Sequence, residues 1–227
     1  MYTMKEIEPI AVFRSPFSTK FGVPRQSGVV PELCGRVVFE PKYRAPEALR
    51  GLEGFDYVWL IWGFHEAVRE GSKSADVFKP TVRPPRLGGN VRLGVFATRS
   101  PFRPNGLALS AVKINRIGEG EIEVLGADLM DGTPIYDVKP YLPYVDAHPE
   151  ARGGFADTQE WKPLKVIFPE EMQKRLSTAE LKSLCGVLKQ DPRPHYHDDP
   201  TRVYGMSYGR WNVRFRISDG ILTVIGI

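Results

Sequence analysis

Four short segments of the chain hold the side chains that could do chemistry. Residues 83–105, RPPRLGGNVRLGVFATRSPFRPN, carry five arginines, four prolines and a Gly88-Gly89 pair, with no lysine and no acid. Proline fixes φ, glycine admits positive φ, and arginine presents a planar fork suited to phosphate or carboxylate, so the pattern describes a rigid cationic binding surface. Two proline-rich connections with solvated arginines would give the same composition. Residues 20–26, Lys-Phe-Gly-Val-Pro-Arg-Gln, repeat that Gly/Pro/Arg character. His65-Glu66 ends the most hydrophobic run and offers an acid-base pair; a surface His and Glu opening a loop reads equally well. Asp131-Gly-Thr-Pro134 is turn chemistry. Behind it Asp137 and Lys139 alternate with aromatic and prolyl positions, as a pocket wall would, or as a turn followed by an edge strand, because Pro140 and Pro143 argue against a central one.

Several chemistries are excluded. There is no phosphate-binding P-loop and no nucleophile elbow, and the compact Gly118-Glu-Gly120 lies in a predicted β-turn with no helix behind it, so it is not a dinucleotide fingerprint. His195, His197, Asp198 and Asp199 crowd into five residues of one loop with no partner cluster elsewhere, a solvated group rather than a metal site; no metal is expected. Cys34 and Cys185 lie far apart without metal-ligand spacing and are read as two buried thiols.

The elements that must position these residues read as mostly β. A chain of 227 residues with 42% hydrophobic content can bury a sizeable core, and its formal charge of +4 is modest, so it is the clustering of arginine that suggests a polyanion. The longest strongly apolar run, residues 58–64, is far below the ~18 residues that span a bilayer, and the first residues lack a signal-peptide pattern; a cytoplasmic protein with no membrane partner is expected. Strands are predicted at 5–14, 33–40, 55–64 and 92–98, a short helix at 45–52, a flexible insertion at 66–79, and a hairpin from 107–115 and 121–127. Residues 148–160 read as a linker. A small α+β unit follows, with a strand at 163–168, a helix opened by the Ser177-Thr-Ala-Glu180 capping box, and strands at 204–208, 213–217 and 222–227. The predicted division is a domain over 1–162 and a second over 163–227. Loops leaving strand ends and converging on a β scaffold are a common way to build a small-molecule cleft.

Six motifs in order, Phe21-Gly-Val-Pro-Arg-Gln26, Arg83-Pro-Pro-Arg-Leu-Gly-Gly89, Val95-Phe-Ala-Thr-Arg-Ser-Pro-Phe-Arg-Pro-Asn105, Asp131-Gly-Thr-Pro134, Asp137-Val-Lys-Pro-Tyr-Leu-Pro143 and Asp191-Pro-Arg-Pro194, resemble the tRNA threonylcarbamoyladenosine N6-methyltransferase family, also called TsaA-like or TrmO. The resemblance implies a non-Rossmann, S-adenosyl-L-methionine-dependent methyltransferase on an antiparallel β-barrel, a homodimer, acting on the modified adenosine 37 of the tRNA anticodon loop. It implies cofactor contacts at Pro24, Arg25, Gln26, His65, Glu66, Arg99, Leu109, Asp131, Gly132, Thr133 and Pro134. The cofactor's sulfonium favours aromatic faces such as Phe21, Phe102 or Tyr136 over arginine. Arg83, Arg86, Arg103, Lys139 and Arg193 are left as candidates for tRNA phosphates or the substrate's threonine carboxylate. Asp131, Glu66 and His65 each suit a general base, and a purely positional mechanism is equally open. The family commonly continues Asn-Pro-Ile-Gly-Leu-Ser where this chain has Asn105-Gly-Leu-Ala-Leu-Ser110, a change bearing on the backbone path to Leu109. Alternatives are an RNA-binding module of the same fold without transfer activity, or a methyltransferase acting on a small molecule.

Overall fold

In the computed structural model, which describes residues 6–65, 78–84, 87, 90–158, 162–193 and 199–227, six strands close into an antiparallel barrel. They are β1 (Ala11–Arg14), β2 (Cys34–Phe39), β3 (Tyr57–Gly63), β6 (Leu107–Gly118), β7 (Glu121–Leu125) and β8 (Pro134–Pro140), in the order β1-β2-β7-β6-β3-β8. β4 (Thr81–Val82) and β5 (Leu93–Gly94) pair separately. Alternation explains closure: Ala11 and Phe13, Val37 and Phe39, Val58, Leu60 and Trp62, Val112, Ile122 and Val124, and Ile135 all face one interior. Ser110 is the inward polar residue of β6, and it is buried.

The second sheet runs β10-β11-β12-β9, from β9 (Lys165–Ile167), β10 (Tyr204–Tyr208), β11 (Trp211–Ser218) and β12 (Ile221–Gly226), with β9 parallel to β12. Helix α1 (Thr178–Lys189) packs on it through Leu184, Val187 and Leu188, and begins with the predicted capping box, Ser177 accepting from the Glu180 N–H while Glu180 accepts from that of Ser177. The core between them also takes Phe17, Val30 and Leu33 from the loop that joins β1 to β2.

Several expectations need correction. Residues 45–52 do not form an α-helix but two 3₁₀ turns, Pro46–Leu49 and Leu52–Gly54, separated by Gly51 at φ 90°. The strand expected at 92–98 is only Leu93–Gly94 and then turns into a 3₁₀ segment, Val95–Ala97, that buries Val95 and turns Phe96 outward. The first strand is shorter than expected at its start. β8 is no edge: it pairs with β1 and with β3, and its prolines are tolerated because Pro134 and Pro140 sit at its two ends. Cys34 is exposed and Cys185 half-buried, because Cys34 takes an outward position of β2 between buried Leu33 and Gly35. The predicted insertion falls outside the described residues from 66 to 77, as do His195, His197 and Asp198. No described helix is long and apolar enough to cross a membrane.

Candidate functional site

The site is assembled on three irregular connections at one end of the barrel. The turn before β8 is tied to the end of β1: the Gly132 N–H donates to the Phe13 carbonyl at 2.9 Å, the Asp131 N–H to that of Phe17 at 2.9 Å, and the Phe13 N–H to that of Thr133 at 2.8 Å. The Asp131 carboxylate accepts from the Ser15 N–H at 3.1 Å and lies 3.4 Å from Arg14 Nη1, while remaining partly open to solvent. Thr133 is buried, with its hydroxyl donating to the Met130 carbonyl at 2.9 Å. Its side chain therefore shapes the turn and leaves the carboxylate of Asp131 as the group presented outward.

The loop bearing Pro24, Arg25 and Gln26 is moulded by the second core. Phe17 sits edge-on to Tyr208 with ring centroids 5.6 Å apart, the Gly209 N–H donates to the Pro16 carbonyl at 2.7 Å, and Gln190 Nε2 donates to the Val29 carbonyl at 3.1 Å. Full burial of Phe17 alone is worth roughly 1.5–3 kcal/mol. Gly22, at φ 92°, meets this core so closely that an added Cβ would lie 2.1 Å from Met206 Sδ. Pro24 is buried, Gln26 is half-buried and Arg25 is exposed.

A polar knot joins the loops. Arg99 Nη1 donates to Gln26 Oε1, linking the two Gly/Pro/Arg segments directly. Asp128, which the sequence reading passed over, accepts from Ser110 Oγ at 2.7 Å, and Ser110 Oγ in turn accepts from Trp62 Nε1 at 3.0 Å. Burial pushes the Asp128 carboxyl up from its ordinary range, opposed chiefly by the Ser110 hydroxyl, with the charge of Arg99 and the Ser27 N–H acting the same way. One carboxylate thus touches or faces Ser27 beside Gln26, Ser110 beside Leu109, and Arg99. The available signal was a polar Ser110 on an inward strand position, opposite Leu60 and within reach of the Trp62 indole, readable only once register was known.

His65 stands half-buried two residues beyond β3; the preceding Phe64 N–H donates to the Gly106 carbonyl at 2.9 Å. Register slips between Ile61 and Trp62, which pair with Asp137 and Ile135, leaving Tyr136 as a bulge residue. Tyr136 lies over Gly63, where an added Cβ would meet its Cε2 at 2.8 Å. Gly106 takes φ 57°, after which β6 runs unbroken through an exposed Leu109, so the altered Asn105-Gly-Leu-Ala sequence enters the strand directly.

Gln26 and Arg99 meet directly, with Pro24 and Arg25 in the same loop, Leu109 adjoins Ser110, and Asp131, Gly132, Thr133 and Pro134 share the turn before β8, whereas three residues predicted to touch RNA already hold protein groups. Arg103 is half-buried and holds the Thr98 carbonyl at 2.8 Å, Lys139 pairs with Asp137 at 3.2 Å along β8, and Arg193 lies on Asp191 at 3.0 Å. Arg83 is exposed, whereas Glu66 and Arg86 lie outside the described residues. Beyond the far end of β8, Asp146 accepts from the Leu142 N–H at 2.8 Å and Trp59 Nε1 at 2.9 Å, which hold its carboxyl below the usual range. Among the described residues no group of three potential metal ligands occurs.

The sequence model for the tRNA-methyltransferase O N-terminal domain matches residues 12–147, and that for the TrmO C-terminal domain matches residues 161–227. The tRNA (adenine(37)-N6)-methyltransferase of Escherichia coli K12 is 39% identical over 98% of this chain and 97% of its own. Its counterpart from Eikenella corrodens is 46% identical over 75% of this chain and 95% of its own. The crystal structure of TrmO from Pseudomonas aeruginosa superposes with a TM-score of 0.80 at 32% identity, covering 99% of this chain and 98% of that one.

Proposed function

The chain belongs to the tRNA-methyltransferase O family, and from that premise we propose that it is an S-adenosyl-L-methionine-dependent methyltransferase acting on N6 of threonylcarbamoyladenosine at position 37 of tRNA. The observation that carries the reading is the direct bond between Arg99 and Gln26, which makes one site of two segments far apart in sequence. We read residues 1–162 as the catalytic barrel and 163–227 as a unit that moulds its cofactor loop, in a cytoplasmic homodimer.

The groups at hand suit the cofactor: a cation with an amide beside it, an accessible carboxylate and an exposed apolar side chain match a molecule bearing a carboxylate, ribose hydroxyls and an apolar methionyl chain. Arg99 and Gln26 would take its carboxylate, Asp131 its hydroxyls, and Leu109 its apolar surface, with Pro24 and Gly132 fixing the backbone around them. When bound, it supplies an electrophilic methyl group. The target nitrogen is conjugated to both ring and carbonyl and is a poor nucleophile, so alignment supplies much of the acceleration. Its proton must leave, and Asp131 and His65, with Glu66 next in sequence, are the groups suited to receive it. Arg83, with Arg86 beyond the described residues, faces solvent for phosphate contact; Arg103, Lys139 and Arg193 already serve protein partners, which lowers their share of that work.

Purified protein with methyl-labelled cofactor should label tRNA carrying the threonylcarbamoyl group and leave tRNA lacking it unlabelled. Equal labelling of both, or of neither, refutes the assignment.

A further inference from the structure

Three phenylalanines beside the cofactor residues stand in solvent where burial would be expected. Phe96 is 71% exposed, Phe102 59% and Phe78 52%. Phe78 and Phe96 stack on one another with centroids 6.0 Å apart and planes 26° from parallel, and the Arg103 guanidinium lies 5.9 Å from the Phe96 centroid. Grouped exposed aromatic surface of this kind marks an interaction site.

The local backbone holds these rings outward. Buried Val95 anchors the 3₁₀ turn, its N–H donating to the Pro80 carbonyl at 2.9 Å. Arg103 Nη1 donates to the Thr98 carbonyl at 2.8 Å, Ser100 N–H to Thr98 Oγ1 at 3.3 Å, and Phe102 N–H to Ser100 Oγ at 3.2 Å. The turn is thus fastened from within, with Val95 inside it and Phe96 outside.

Charge selects the partner. Residues 78–105 contain six cations and no acid. A second copy meeting this face about a two-fold axis would bring like charges together, which disfavours self-association through it. A polyanion is complementary, and exposed aromatic faces beside cations are the means by which proteins hold unpaired bases, which duplex stacking would otherwise hide.

We propose that the Phe78–Phe96 pair and Phe102 form a stacking platform for unpaired bases of the anticodon loop flanking the target adenosine, with exposed Arg92 beside it toward the phosphates. The platform rests on the tRNA reading above and adds to it a single-strand requirement. Arg99, between Phe96 and Phe102 in sequence, is bonded to Gln26, so bases held here lie next to the cofactor residues.

The test compares the full-length protein with F96A, F78A/F96A and F96W. Binding of an unmodified tRNA transcript and of a base-paired RNA of equal length is measured by polarisation, with cofactor affinity by calorimetry and mass in solution by light scattering. One lost stacking contact is worth roughly a tenfold loss of affinity. F96A should weaken transcript binding about tenfold, F78A/F96A further, and F96W should restore it, while duplex binding, cofactor affinity and mass stay as in the parent. Unchanged transcript binding, an equal loss for the duplex, or a change in mass would overturn the platform, the last in favour of a contact between copies. Because transcript binding needs no methyl transfer, ring dependence without transfer would refute only the enzymatic reading, and transfer without ring dependence only the platform.

Discussion

Around Asp128 the Ser110 hydroxyl, the Trp62 indole, the Ser27 N–H and the Arg99–Gln26 pair answer one another, whereas along residues 78–105 three phenylalanines face water among cations with no acid near them in sequence. The two regions adjoin at Arg99. Polar groups matched inside the protein hold loops in place, since an unmatched buried partner is costly. Apolar and cationic groups left in solvent are available to something else. The proposed site is therefore fastened on the side assigned to the cofactor and open on the side assigned to RNA, and substitutions should separate the two.

The largest effect is expected where the cofactor loop meets the second core. In Gly22→Ala the new Cβ falls 2.1 Å from Met206 Sδ at a backbone angle, φ 92°, that side chains avoid. Met206 is buried and has little room to move. Strain and overpacking together should cost on the order of 2–4 kcal/mol, seen as a lower denaturation midpoint. Cofactor affinity should fall with it, because Gly22 precedes Pro24, Arg25 and Gln26. A loss of stability with unaltered cofactor affinity would show that the two cores are independent.

Asp128 comes next. Asp128→Ala removes the acceptor of Ser110 and Ser27 and the counter-charge of Arg99, for about 1–3 kcal/mol of stability and a cofactor affinity lower by roughly tenfold. Asp128→Asn keeps an acceptor and separates charge from hydrogen bonding. Since folding raises this carboxyl's pKa, its contribution is complete below the unfolded value and is lost as pH rises through the folded one. The melting temperature of the parent relative to Asp128→Asn should therefore decline with rising pH across that window.

Much of this architecture was legible in the residues. The β-branched and aromatic run of β3, the hairpin of β6 and β7 and the Ser177–Glu180 box required only local composition, turn and capping rules, and all are present. What escaped was long-range. Phe17, Val30 and Leu33 lie scattered in a glycine-rich loop, and only the fold shows that they complete a core built more than a hundred residues later. Asp128 had no motif to mark it, and the Tyr136 bulge depends on the pairing of β8 with β3. Residues 92–98 alternated like a strand, yet Val95 burial turned them into a 3₁₀ segment that puts Phe96 outside. Prolines at the ends of β8 resembled those of an edge strand because sequence does not show that a barrel will close around them.

A smaller effect tests the support behind the cofactor loop. Ser177→Ala removes the N-cap of α1 and should cost ~1 kcal/mol at neutral pH. The Ser177 N–H, first, and its hydroxyl hold the Glu180 carboxyl below its usual range, so this contribution is present above the unfolded glutamate value and is lost as pH falls through the folded one. Melting curves of parent and variant should approach each other in acid. A constant gap down to that range would mean the cap acts without the carboxylate.

The smallest change in stability is expected on the open side, where it discriminates most. Phe96 contacts the Phe78 ring and the Arg103 guanidinium but is otherwise in water, so Phe96→Ala should shift stability by less than about 1 kcal/mol. Val95 alongside it is fully enclosed, and Val95→Ala should cost about 1–3 kcal/mol by leaving a cavity under the same turn. Paired in one experiment, the neighbours separate two roles within one 3₁₀ segment. If Phe96→Ala proved as destabilising as Val95→Ala, the aromatic cluster would be part of the fold, and its exposure would not be a preparation for RNA. If it left melting untouched while weakening tRNA binding, the contrast between the fastened and the open side of the site would be a division between holding the cofactor and receiving the base.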